Sequence, residues 1–493
     1  MELGGKRLER VHFVGIGGAG MSAIAHVALE LGTRVSGTDL VVSETTRRLA
    51  AKGASITQGH SASNLDTPDA VVVSTAIAPD NPEVVEATRR GIPVLHRAQM
   101  LAIIMERKKG IAVSGTHGKT TTTSMLAVVF KRLGLDPTWL VGGEVLDLGS
   151  GAGYGEGDYL IAEADESDAS FLELRPYVAL ATNIDDDHLD HYGSLSQIVQ
   201  AFETFLRRTR EGGFPVVCVD NPDLAAIARR LEGRLVTYSG PVTAPGLPAG
   251  LEQAVRPAGG RSGETVRYRV SGYSPRSWGA QFSVERSGTP IGEFTLNVPG
   301  PHNVSNATAV IATAVELGLD AREVAPALAT FSGAGRRLER MGRVRDVEVV
   351  DDYAHHPTEV AATLSTVRSL VPSSRLVVVF QPHRFSRTRA LYSAFGRAFP
   401  DADVVVFTDI YPAGERPVPG VTGELLYNHF SARPGQEVTY IPALADVAPY
   451  LAERLRPGDL VMTMGAGNVR QVGPQLLALL DGLRSTRPEN VPH

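Results

Sequence analysis

A multidomain α/β fold built on parallel sheets is predicted by three features of the sequence. Short apolar runs alternate with helical stretches along the whole chain. Several of those runs end in glycine-rich or polar turns that lead straight into a helix. The length, 493 residues, also exceeds one ordinary core at about 150 residues per domain. We expect three domains: a Rossmann-like one over residues 1–108, a phosphate-loop domain with a small antiparallel β patch over 109–331, and a second Rossmann-like one over 332–493.

In the first block, apolar runs at 11–14, 34–37 and 70–73 alternate with helical patterns at 22–31 and 82–90. That βαβ rhythm implies parallel strands. The first run enters Gly15-Ile16-Gly17-Gly18-Ala19-Gly20, and Asp39 closes the next run. Glycines at this spacing let the backbone approach a pyrophosphate, and the acid is placed for a ribose. Any diphosphate-linked nucleotide suits the geometry, and a purely structural turn is the alternative. Lys6, Arg7 and Arg10 before an apolar run resemble a signal segment, but His12 and four glycines break the run.

The second block opens with Ile111-Ala112-Val113, followed by SGTHGKTTTT at 114–123 and an apolar helix. Strand, glycine-rich turn, Lys-Thr and helix form the arrangement that cradles nucleotide phosphates, which points to ATP. Backbone N–H groups of Gly115, Thr116, His117, Gly118 and Thr121 line such a loop. Lys119 reaches the terminal phosphates and the Thr120 hydroxyl suits magnesium. Val113 stands where the general pattern has its first glycine, so the loop is shorter than a standard one.

Runs at 159–162 and 178–182 end in the acidic stretch 163–168 and the Asp/His stretch 183–191. Ligands of open α/β sheets sit beyond the carboxyl ends of strands, so the three turns can converge. Hard oxygen donors there suit Mg²⁺ on ATP phosphates. His188 and His191 lack the cysteine or third histidine that zinc calls for. Glu163 and His188 are the chosen ligands, and the other acids read as solvated loop.

Residues 239–263 are rich in Gly, Pro, Ala and Ser and read as a surface excursion. Alternating runs at 265–270, 281–285 and 293–298 form the antiparallel patch. Then Pro299–Ala307 leads into a helix over 306–316, where Asn303 and Asn306 serve a ligand or cap the helix.

The third block alternates strands at 347–350, 376–380, 404–407, 438–441 and 460–464 with helices at 358–370 and 388–399. Gly335-Arg336-Arg337, Asp351–His356 and Gln381–Arg387 lie at its turns. Arginines there can fork onto carboxylate or phosphate.

Bulk properties exclude other classes. A net charge of −6 argues against a nucleic-acid binder. No stretch approaches the roughly 18 apolar residues of a membrane span. Cys218 is the one cysteine and cannot form an intramolecular disulfide. A reducing compartment, the cytoplasm, is expected, with the thiol in the core.

HFVGIGGAGMSAIA, SGTHGKTTTT, EADESDASF, TNIDDDHLDHYG, PGPHNVSNA, GAGRRLE, DDYAHHPTE and QPHRFSRT occur in that order. Together they resemble the Mur ligase family, the ATP-dependent amide-forming enzymes of peptidoglycan precursor synthesis, and within it the alanine-adding branch. The resemblance implies a UDP-sugar domain, a central P-loop ATPase domain and a C-terminal amino-acid domain. UDP-N-acetylmuramate, L-alanine and ATP would be substrates, with Mg²⁺, in a monomer or weak dimer.

By matching position, Lys119 and Thr120 would hold ATP phosphates and Mg²⁺, and Glu163 and His188 would be further metal ligands. Asn303 would lie by the adenine, Arg337 by the γ-phosphate and Asp352 by the ribose. His355, Arg384 and Arg387 would take the amino-acid carboxylate. Gly15, Gly17, Gly18 and Gly20, with Asp39, would take the UDP portion. Lys119, His188 and Arg337 would be catalytic. Several sister ligases of that family carry, shortly after the Asp-His motif, a carbamylated lysine that the alanine-adding branch lacks. Residues 194–208 contain no lysine, and Glu203 stands near the place. A nicotinamide oxidoreductase would leave the phosphate loop idle, and a switch ATPase would leave the outer blocks unused. The nearest rival is the family's tripeptide-recycling branch.

Overall fold

The computed structural model describes residues 1–186, 192–241 and 263–482. His188, His191, most of the glycine- and proline-rich excursion and the polar C-terminal tail lie outside them. Two compact units emerge, Met1–Ala334 and Gly335–His493.

Besides a short antiparallel hairpin of Glu2–Leu3 with Lys6–Arg7, the first unit holds two large sheets. Strands β1 (Arg10–Val14), β2 (Arg34–Asp39), β3 (Ser55–Gln58), β4 (Ala70–Val73) and β5 (Val94–His96) pair in the order β3-β2-β1-β4-β5, all parallel. The chain reverses direction across the sheet between β1 and β4, so a crevice opens at the carboxyl end of β1. That is where the glycine turn lies.

The second sheet comprises β6 (Lys109–Ser114), β7 (Thr138–Val145), β8 (Ser150–Gly153), β9 (Tyr159–Glu163), β10 (Val178–Ala181), β11 (Phe214–Cys218), β12 (Leu235–Ser239), β13 (Thr265–Arg276), β14 (Gly279–Arg286) and β15 (Thr289–Leu296). Its order is β8-β7-β9-β6-β10-β11-β12-β13-β14-β15. The seven neighbours β7-β9-β6-β10-β11-β12-β13 run parallel, while β8, β14 and β15 are antiparallel to their neighbours. The antiparallel patch therefore extends the nucleotide-loop sheet, joined to it through β12 and β13. Its strands run further than their apolar runs because one face meets solvent, and polar residues alternate outward along β13.

Central strands β6 and β10 are buried almost throughout, as parallel strands covered on both faces must be. The helix Lys119–Arg132 behind the loop is buried from Thr121 to Phe130. It packs on the helices Pro301–Glu316 and Ala321–Leu328. A helix buried on every side belongs in the middle of a domain, and burying it fixes the direction in which its N-terminus points.

The second unit has one sheet of β16 (Glu339–Val344), β17 (Val347–Asp352), β18 (Leu376–Phe380), β19 (Val404–Phe407), β20 (Glu437–Tyr440) and β21 (Leu460–Met464), in the order β16-β17-β21-β18-β19-β20. Only the edge strand β16 is antiparallel to its neighbour. The carboxyl ends of β17, β21 and β18 are adjacent, so the turns that follow them share one rim.

Candidate active site

The loop after β6 is shaped by glycine at two points. Gly115 has φ +140°, and a Cβ there would collide with Thr182 Oγ1. Gly118 sits at φ +85° as the residue before the helix Lys119–Arg132, which has no side-chain cap. Uncapped first-turn amides at a helix N-terminus favour an anion.

The loop is strapped to the turn after β10, its parallel neighbour. Thr182 Oγ1 donates to His117 O at 2.6 Å, and Asn183 Nδ2 donates to the same carbonyl at 2.9 Å. His117 N donates to Asn183 Oδ1 at 2.8 Å, and Asp185 N donates to Thr116 Oγ1 at 2.9 Å. The His117 ring meets Asp185 at 3.2 Å, and that hydrogen bond holds the Asp185 carboxyl down at about 2. These contacts join residues more than sixty positions apart and give the short loop its rigidity.

Lys119 is turned onto its own surroundings. Its Nζ donates to Gly115 O at 2.6 Å and to Glu166 Oε1 at 2.8 Å. Burial alone would lower its ammonium, but Glu166 and Asp165 outweigh that and hold it above its usual value. Glu163, at the end of β9, accepts from Gly142 N at 2.9 Å and lies beside Thr120, and burial pushes its carboxyl up. Asp165 would also be raised by burial, yet Lys119 and Arg97 hold it at about 2.

Asn303 and Asn306 are inside the helix Pro301–Glu316, not at its cap. The N-cap is Gly300 at φ +101°, and Pro301 opens the first turn. Asn303 Nδ2 donates to Pro299 O at 2.6 Å, while Asn306 Oδ1 lies 2.8 Å from where a Cβ on Gly118 would be. The capping alternative thus fails. Glu203, near the place of the sister ligases' lysine, is engaged with Arg230 at 2.6 Å and Arg207 at 2.8 Å.

In the glycine turn after β1, Thr38 O accepts from both Gly15 N (2.8 Å) and Ile16 N (2.9 Å). Asp39 Oδ2 accepts from Gly17 N at 2.8 Å, and its Oδ1 accepts from Val41 N. Asp39 therefore shapes the turn itself. Beneath it Glu83, fully buried, accepts from Thr38 Oγ1 and Asn64 Nδ2, each at 2.7 Å. Gly18 is the N-cap of the helix Ala19–Glu30, and Gly20 lies in its first turn, three residues earlier than the apolar pattern indicates.

The second unit gathers cations at one rim. Arg336 pairs with Asp351 at 3.1 Å and donates to Gly465 O at 2.6 Å. Both Arg336 and Arg337 lie over the Tyr353 ring, at 4.9 and 5.1 Å. Asp352 accepts from Leu338 N (2.9 Å) and Ala354 N (2.8 Å), and burial pushes its carboxyl up to about 6. His355 Nδ1 faces Tyr353 O at 3.0 Å, and burial lowers its ring to about 4. Its ring centroid is 5.9 Å from that of His383, which stacks on Tyr411. Burial, followed by His355, Arg387 and Arg384, lowers His383 to about 3. Arg384 precedes the helix Phe385–Phe395 at φ +70°, and Arg387 is in its first turn. Two neutral rings among arginines suit a small anion.

Asn183, Glu166, Arg97 and His383 escaped the sequence reading. All but Arg97 lie inside motifs already singled out, and each has its partner far away in sequence.

Family models match along the chain: "Mur ligase family, catalytic domain" over residues 10–109, "Mur ligase middle domain" over 113–314 and "Mur ligase, glutamate ligase domain" over 336–467. The UDP-N-acetylmuramate–L-alanine ligase of Solidesulfovibrio magneticus is 48% identical over 471 residues, covering 96% of this chain and 98% of its own. Its counterpart from Geobacter sp. is 46% identical over 480 residues, covering 97% and 99%. The crystal structure of the UDP-N-acetylmuramate–alanine ligase from Thermotoga maritima has a TM-score of 0.77 at 30% identity, covering 97% of this chain and 100% of that one.

Proposed function

The chain belongs to the Mur ligase family, and on that premise we propose that it joins L-alanine to the carboxylate of UDP-N-acetylmuramate, cleaving ATP to ADP and phosphate. The carrying observation is near-full-length identity of 46–48% to ligases of that specificity. Its nucleotide substrates and buried lone thiol fit a cytoplasmic enzyme, and among the described residues no helix is long and apolar enough to cross a membrane. We take it to act as a monomer or weak dimer.

A carboxylate is a poor acyl donor because oxide leaves badly. Transfer of the ATP γ-phosphoryl group to the muramyl carboxylate makes an acyl phosphate. The neutral amine of L-alanine then attacks the acyl carbon and phosphate departs. Little covalent chemistry falls to the protein, whose task is to orient the groups and neutralise charge. Gly115–Thr121 would cradle the phosphates, and Lys119 would swing from Glu166 to the γ-phosphate. Arg337 would share that charge, Asn303 would meet the adenine and Asp352 the ribose. Thr120 and Glu163, hard oxygen donors side by side, suit Mg²⁺. They would hold it with His188, and the ion would offset phosphate charge. His355, Arg384 and Arg387 would receive the carboxylate of L-alanine. The glycine turn, shaped by Asp39, would receive the UDP diphosphate through Gly15, Gly17, Gly18 and Gly20.

The test is phosphate release from Mg-ATP with UDP-N-acetylmuramate, adding L-alanine, glycine, L-serine or the murein tripeptide in turn. Release that needs both the sugar nucleotide and L-alanine is the expected result. Release only with the tripeptide would move the chain to the recycling branch.

A further inference from the structure

Arg97 opens the helix Arg97–Met105 directly after β5, and it stands between the glycine turn and the acidic stretch beside Lys119. Its Nη2 donates to Asp165 Oδ2 at 2.7 Å and is 3.7 Å from Asp168 Oδ2. Its Nη1 lies 3.3 Å from the position of a Cβ on Gly20. The next residue after Asp165 is Glu166, which holds Lys119 at 2.8 Å.

We propose that Arg97 binds an anionic group of the sugar nucleotide, its diphosphate or its lactyl carboxylate, and is drawn off Asp165 as it does so. This rests on the function proposed above and adds a residue to the sugar-nucleotide site. The planar fork of the guanidinium matches either anion. Gly20 has no side chain to block the approach, and the N-terminus of the helix Ala19–Glu30 faces the same place. Occupancy of the sugar site is thereby communicated to the acids around Lys119, because Asp165 loses a cation when the substrate arrives. The arginine side chain is 22% exposed, enough to be reached and too little to be a freely solvated surface group.

Calorimetric titration with UDP-N-acetylmuramate and with UDP-N-acetylglucosamine, which has the diphosphate but no lactyl carboxylate, tests this on the intact chain. Arg97→Ala should weaken UDP-N-acetylmuramate binding about tenfold or more, the size of one charge-assisted hydrogen bond. Asp165→Asn breaks the same ion pair but keeps the guanidinium, and should bind at least as tightly as wild type. Loss for both sugar nucleotides assigns the diphosphate, and loss for the muramate alone assigns the carboxylate. If Arg97→Ala does not fold, Arg97→Lys, which keeps a charge without the fork, must show a loss that Asp165→Asn does not. Unchanged binding in the arginine variants, or equal losses in the arginine and aspartate variants, would overturn the proposal while leaving the ligase reading intact. A wild-type protein that binds ATP but neither sugar nucleotide would sink both.

Discussion

The first unit surrounds its loop lysine with acids, and the second surrounds its buried histidines with arginines. Lys119 and His355 are both desolvated, which opposes positive charge in each. The neighbours decide the outcome. Glu166 and Asp165 keep Lys119 charged, whereas burial together with Arg387 and Arg337 keeps His355 neutral despite nearby Glu359. The first arrangement holds a cation ready beside compensating carboxylates. The second sets uncharged rings beside arginines, a setting that suits an incoming carboxylate or phosphate.

The sharpest way to break this contrast is Lys119→Ala. It should lower kcat about a thousandfold, as loss of a preorganised charge at a transferring group does, with UDP-N-acetylmuramate binding nearly unchanged by calorimetry. Lost sugar binding would mean that the acids around Lys119 also organise the glycine turn.

On the cationic side, Arg384→Ala should raise the KM for L-alanine about thirtyfold, the scale of a hydrogen bond to a charged group, with a smaller effect on kcat. An alanine dependence identical to wild type would place the carboxylate elsewhere.

The mildest effect concerns Asp352. With its carboxyl at about 6, the ionised fraction drops about fourfold between pH 7.5 and 5.5. ATP affinity should fall by a similar factor beyond the titration of ATP itself, because the protonated acid accepts a ribose hydroxyl less well. Asp352→Asn should remove that extra slope. Equal slopes in both proteins would take Asp352 out of the nucleotide contact.

Much of this was legible in the chain because the central strands are buried on both faces. Apolar runs at 376–380, 404–407 and 460–464 coincide with β18, β19 and β21. Helix starts were less legible. The helices beginning at Ala19, Pro301 and Phe385 all open inside polar or glycine-rich motifs, where hydrophobic periodicity has not yet begun. Asp39 shows how a spacing rule underdetermines a role: its position fits a ribose ligand, yet its carboxylate accepts amides of the turn. Glu166 and Arg97 were out of reach for another reason. Each meets a partner 47 or 68 positions away, a proximity that sheet order creates and local pattern does not encode.

Cys218 lies within β11, fully enclosed, and burial raises its thiol to about 12. It is the only cysteine in the chain, so the folded protein offers almost no thiolate to an alkylating reagent at neutral pH. A spectroscopic probe can therefore be attached at any surface cysteine introduced by design, without first deleting the native one.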